Sequence, residues 1–154
     1  MSAPFTREGQ HGWSHDEGHP AGTFHTYDAL DVSARFPARK VHVLVPREPP
    51  PPGGFPSLTL HDGDTVFWPG GIARKTWDAA NVQSAAGAPP RVVIAVHPGD
   101  RNFEYTHADW AAGRRSWGGL AAHADYLADE ILGFVSRNYP VSTRARDTAV
   151  AGAS

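Results

Sequence analysis

Asp147-Thr-Ala-Val-Ala-Gly-Ala-Ser154 is the stretch on which the fold turns. Thr148 to Ala151, small or β-branched, read as a short strand buried on both faces. They lead into Gly152-Ala153-Ser154, the front half of a nucleophile elbow, Gly-x-Ser-x-Gly. In that turn a serine sits at a strained strand-to-helix corner with its Oγ exposed above the sheet. A Gly-x-Ser tripeptide carries little weight alone, so the preceding chain must supply the structural context.

Working back from Ser154, a helix is expected over 120–138. Leu120, His123, Leu127, Ile131, Phe134 and Val135 form an apolar stripe, while Asp125, Asp129 and Glu130 face water. Before it, Arg91-Val-Val-Ile-Ala-Val96 is a continuous apolar run, as in a central strand covered on both faces. A further helix is expected over 72–85, on a modest stripe of Ile72, Trp77, Ala80 and Val82. Phe55 to Leu60 and Lys40 to Val45 read as strands, the latter with Val41, Val43 and Val45 on one face. Thr23 to Tyr27 is another strand, with a weaker candidate in 29–34. Pro49 to Pro52 with Gly53-Gly54 form an exposed connector.

Strands followed by β-α-β-α-β imply an α/β fold with a mostly parallel sheet and right-handed crossovers. Such sheets carry function at the carboxyl ends of their strands. Here those ends are His61-Asp-Gly-Asp64, His97 to Arg101, and Ser154.

Residues 1–21 contain Gly9, Gly12, Gly18 and Pro20 among polar residues, without periodicity, and are expected to be a flexible arm preceding a domain over 22–154. His11, His15 and His19 would share a helix face, but the glycines oppose a helix and no zinc-site pattern is present.

A chain of 154 residues suits one domain, and its 40% hydrophobic content is ordinary for a globular protein. The net charge of −2 gives no basic face for nucleic acid or an anionic membrane. With no cysteine there is neither a disulfide framework nor thiolate chemistry. No apolar run is long enough for a membrane span, and the first residues lack a signal-peptide core, so the cytoplasm is the default compartment.

With these elements in order, the chain resembles the putative esterase family of α/β-hydrolases, which includes enterochelin esterases, esterase D and feruloyl esterases. The likeness rests on Val41-His-Val-Leu-Val-Pro46, Leu60-His-Asp-Gly63, Val92-Val-Ile-Ala-Val96, Arg101 to Thr106, Asp125 to Leu132 and Ala149 to Ser154. It covers residues 22–154 and implies an α/β-hydrolase-type, mostly parallel sheet with flanking helices, seen as its N-terminal half. It also implies a serine esterase working through an acyl-enzyme on a small-molecule ester, with Ser154 as nucleophile.

In this fold the triad's acid and histidine follow the serine. They are therefore expected from the remainder of the hydrolase domain, as a C-terminal part or a second chain, and the chain alone should be inactive. The resemblance implies Gly63 and Asp64 in the oxyanion hole, and His61, Asp62, Trp68, Arg101, Glu104 and Tyr105 around the substrate. Arg101 and Glu104 either line the acyl or leaving-group pocket or pair with each other to pin their loop. Trp68, Trp110 and Trp117 either stack on an aromatic or sugar-like substrate or serve as packing. No cofactor or metal is called for; His61, Asp62 and Asp64 are too few for a cation site. An unpaired edge beside 149–151 leaves room for a homo-oligomer. From another class, the same strand exits suit a non-catalytic α/β module that binds a small ligand.

Overall fold

Val41 and Val43 on one side of a strand, with His42 and Leu44 on the other, set up a sheet with two covered faces. The computed structural model describes residues 1–85 and 87–152, and in it this strand lies near the sheet's centre. Nine strands are described: β1 (Ser2–Arg7), β2 (Gln10–His15), β3 (Thr23–Leu30), β4 (Arg39–Val45), β5 (Ser57–Leu60), β6 (Val92–Val96), β7 (Ala111–Ala112), β8 (Arg115–Ser116) and β9 (Thr148–Ala151). Seven form one sheet in the order β1-β2-β3-β4-β6-β5-β9, and β7 and β8 form a separate hairpin.

The sheet is mixed. Pairings from β1 through β4 to β6 are antiparallel, whereas β6-β5 and β5-β9 are parallel. The parallel half is the βαβ part read from the sequence, and β6, buried at every residue, is its inner strand.

One face packs beneath a long helical segment. It begins as α3 (Leu120–Asp125), passes through a π-helical turn (Tyr126–Ile131) and continues as α4 (Leu132–Asn138). Leu127, Ile131, Phe134 and Val135 meet Val41, Val43, Val92, Ile94 and Val96 there. The expected apolar stripe is the buried face except at its start, where Leu120 is 40% exposed. The other sheet face packs Phe24, Leu44, Val93 and Ala95 against Val66, Phe67 and Ala80.

Three local readings change. Residues 2–15 are a hairpin, not a flexible arm: Glu8 and Gly9 both have positive φ, as a two-residue type I′ turn requires, and β2 pairs with β3. Phe5 packs on the helix-side core, and Arg137 forms an ion pair with Glu8. The helix expected over 72–85 is only α1 (Ala79–Ser84). Ile72 is fully exposed and offers nothing to bury, while Arg74 and Asp78 take left-handed backbone conformations that interrupt a helix. Finally, β9 is an edge strand with mostly exposed residues, Val150 being 51% exposed, so it is not buried on both faces.

Among the described residues, no helix is long and apolar enough to cross a membrane.

Candidate active site

The parallel strands β5 and β9 end side by side, because the His61 amide donates to the Ala151 carbonyl at 3.1 Å. His61 therefore stands beside Gly152. A Cβ on Gly152 would lie 2.9 Å from His61 Cδ2, so the glycine lets the imidazole close on the strand exit. Ser154, the expected nucleophile, lies outside the described residues.

A cleft of about 560 Å³ opens at this point, lined by His61, Arg101, Asn102, Tyr105, Thr106, Leu120 and Gly152. Its far wall is α2 (Arg101–Glu104), started by Asp100, whose carboxylate accepts the Phe103 amide at 3.2 Å. Arg101 donates two hydrogen bonds to Asp62, from Nε to Oδ1 at 2.7 Å and from an Nη to Oδ2 at 2.9 Å. The guanidinium also lies 5.1 Å from the Tyr105 ring centroid, and the Tyr105 hydroxyl donates to Asp62 at 3.4 Å. This clamp ties the β5 exit to α2 and sets the cleft's width.

Behind the wall, Glu104 is 3% exposed and forms a two-pronged pair with Arg39, at 3.0 and 2.8 Å. It also accepts the Gly99 amide at 3.2 Å. Arg101 and Glu104 do not pair with each other, since each has another partner; of the two, Arg101 lines the cleft. Glu104 is not among the residues lining the cleft; it anchors α2 from beneath. No local sequence pattern joins Arg39 to Glu104, since 65 residues separate them.

His123 was read as part of a helix stripe, and it is buried there, 1% exposed. Its ring lies 5.4 Å from His61 and 5.5 Å from Tyr105, and Nδ1 is 3.7 Å from a Glu104 oxygen. So sealed, it cannot take a proton from a group inside the cleft. Burial pushes its pKa down, as it does for His61, so both imidazoles are neutral near pH 7.

The His61–Asp64 turn departs from its expected role. The Gly63 amide donates to the Val96 carbonyl at 2.9 Å, so it is already committed and cannot serve an oxyanion. Gly63 is glycine because a Cβ there would lie 2.6 to 2.8 Å from backbone atoms of residues 95–97. The Asp64 amide has no hydrogen-bond partner among the described residues. Asp64 lines an adjoining recess of about 300 Å³, together with Asp62, and Arg101 borders both this recess and the cleft.

Trp68 is a core-facing ring, not part of the cleft lining. It packs against Phe24, His42 and His15 at centroid distances of 5.0, 5.2 and 5.6 Å. Trp110 and Trp117 stack on each other at 3.7 Å across the β7–β8 hairpin, which favours the packing reading. Among the described residues, no group of three or more His, Cys, Asp or Glu could hold a metal ion.

A family model described as putative esterase matches residues 37–154. Solved structures are also similar. The BES protein from Bacillus cereus matches with a TM-score of 0.55 and 14% identity, over 95% of this chain and 52% of its own. Enterobactin hydrolase IroE in complex with DFP matches at 0.52 and 19% identity, over 99% of this chain and 53% of its own. The CE1 ferulic acid esterase AmCE1/Fae1A from Anaeromyces mucronatus matches at 0.52 and 15% identity, over 97% and 53%. The chain thus spans about half the length of each of these structures and shares their α/β-hydrolase-type fold. No curated protein matches.

Proposed function

The chain belongs to the putative esterase family, and from that premise we propose that it is the nucleophile-bearing part of a serine esterase. The observation that carries this reading is the cleft at the paired exits of β5 and β9, with Gly152 of the Gly-x-Ser sequence in its wall. In this proposal Ser154 Oγ attacks the ester carbonyl carbon as a histidine takes its proton. The tetrahedral oxyanion collapses, the protonated alcohol leaves, and an acyl-serine remains for water to hydrolyse by the same path. Backbone amides at the strand exits stabilise the oxyanion, with Asp64, whose amide has no partner among the described residues, as the candidate donor of the β5 exit.

The acid and the histidine come from the remainder of the hydrolase domain, whether a C-terminal part or a second chain, as this fold places both after the serine. The exposed edge of β9 is where that remainder continues the sheet. The substrate is a small carboxylic ester, and no metal or cofactor takes part in this scheme.

The test is mass mapping of a fluorophosphonate adduct on the assembled protein. Labelling at Ser154, lost in Ser154→Ala together with several orders of magnitude of turnover, is the expected result. The isolated chain should show no serine-dependent turnover of p-nitrophenyl acetate. Labelling elsewhere, or none in a folded assembly, would leave the ligand-binding module as the better reading.

A further inference from the structure

The cleft has an arginine in its wall, which invites the view that it receives an anionic ligand. The hydrogen-bond pattern says otherwise. Arg101 directs its Nε and one Nη onto Asp62, which offsets its charge and occupies one of its two forked edges. Its face lies over Tyr105. The Tyr105 hydroxyl is directed at Asp62. Thr106 Oγ1 donates to the Asn102 carbonyl at 2.6 Å and accepts the Gly118 amide at 3.0 Å. Leu120 is apolar, and Gly152 has no side chain.

Two polar side chains of the lining remain without a hydrogen-bond partner among the described residues: the His61 imidazole and the Asn102 carboxamide. His61 cannot swing freely, because its amide is tied to Ala151 and its ring is held between Tyr105 and Gly152. Both groups are uncharged and each offers a donor and an acceptor. A ligand that brought a full charge here would give up its hydration for neutral partners, whereas an uncharged carbonyl or hydroxyl would gain hydrogen bonds.

We propose that the cleft takes the uncharged portion of an ester, held by His61 and Asn102, and that Asp62 keeps Arg101 from recruiting anions. As a statement about substrate this rests on the esterase reading, but the binding it requires is measured without turnover. Asn102, which no sequence signal marked, becomes a substrate-positioning residue. Asp62 becomes a specificity residue acting through Arg101.

The experiment is NMR titration of the isotope-labelled chain with acetanilide, an uncharged and slowly hydrolysed mimic of an aryl ester, and with its anionic relative 4-acetamidobenzoate. Acetanilide should shift the signals of His61 and Asn102, with the anion at least about tenfold weaker. Asn102→Ala, at an exposed position, should weaken acetanilide about fivefold, as expected for one lost hydrogen bond. Asp62→Asn, which the left-handed backbone at this position accommodates, should free Arg101 and turn the preference toward 4-acetamidobenzoate. Equal or tighter binding of the anion by the unmodified chain would overturn the proposal. So would an unchanged affinity in Asn102→Ala, or neither probe perturbing the cleft. Neutral-ligand selectivity in a protein whose Ser154 resists fluorophosphonate would retain this inference and remove the esterase reading.

Discussion

Lowering the pH from neutrality should destabilise this domain well before its carboxylates are titrated. Burial holds five histidines below their ordinary pKa of 6.5: His25 at about 4, His42 at about 3, and His61, His97 and His123 also lowered. In the unfolded chain each takes up a proton as the pH falls through 6.5; in the folded protein it refuses one. Stability conferred by the neutral forms is therefore complete above 6.5 and lost progressively below it, until the folded pKa is reached.

At about pH 5, some 1.5 pH units below the ordinary value, a histidine that stays neutral in the fold forfeits about 2 kcal/mol. His42 is well buried, with Nδ1 against the Thr26 hydroxyl at 2.8 Å and Nε2 against His97 Nε2 at 3.0 Å. It should show that full amount. His25 is partly accessible to solvent, so the two together give about 2 to 4 kcal/mol, a large share of the roughly 5 to 15 kcal/mol of a typical domain. Urea unfolding followed by tryptophan fluorescence at pH values from about 7.5 to 5 measures this directly. His42→Gln, which keeps a hydrogen-bonding group between Thr26 and His97, should flatten the profile by about 2 kcal/mol. A stability that stays level to about pH 4.5, falling only where carboxylates protonate, would refute the reasoning.

Glu104→Ala should lower the unfolding free energy by about 3 to 5 kcal/mol, because it strands the Arg39 guanidinium in the core; replacing both by apolar residues should restore most of it in the same urea assay. Gly63→Ala should reduce the melting temperature measurably, as its Cβ would press on the backbone of residues 95–97. Removing residues 1–20 should destabilise the chain, since it strips β3 of its β2 partner and takes Phe5 from the core; calorimetry showing a melting point within a few degrees of the intact chain would make the hairpin an accessory. Trp110→Ala should speed proteolytic nicking of the β7–β8 hairpin while leaving the global transition in place.

The parallel half of the fold was legible because its signals are local. An unbroken run such as Val92 to Val96 and a helical stripe such as Leu127, Ile131, Phe134 and Val135 need no knowledge of distant residues. The N-terminal hairpin escaped because its turn is Glu8-Gly9, lacking the asparagine or aspartate that usually announces a type I′ turn, and its histidines suggested another period. Of the site, the strand exits were legible as a class of place. Roles were not, because they depend on pairings that sequence distance conceals: Arg39 with Glu104, Arg101 with Asp62, and the Gly63 amide with Val96. Glycine at 63 is required by the neighbouring backbone and not by an open amide.

The two margins of the large sheet are chemically unlike. At one, β1 carries Pro4, which has no amide proton to offer a newcomer, and ends in the charged Arg7. At the other, Thr148 to Ala151 has neither proline nor charge. A filament needs two adhesive margins on every unit, so that each addition exposes the next. A unit with one blunt and one adhesive margin can only pair through the adhesive one, and the pair is then finished. Concentrating this chain should thus yield a closed twofold particle in place of a growing fibre, a difference that light scattering reads as a plateau.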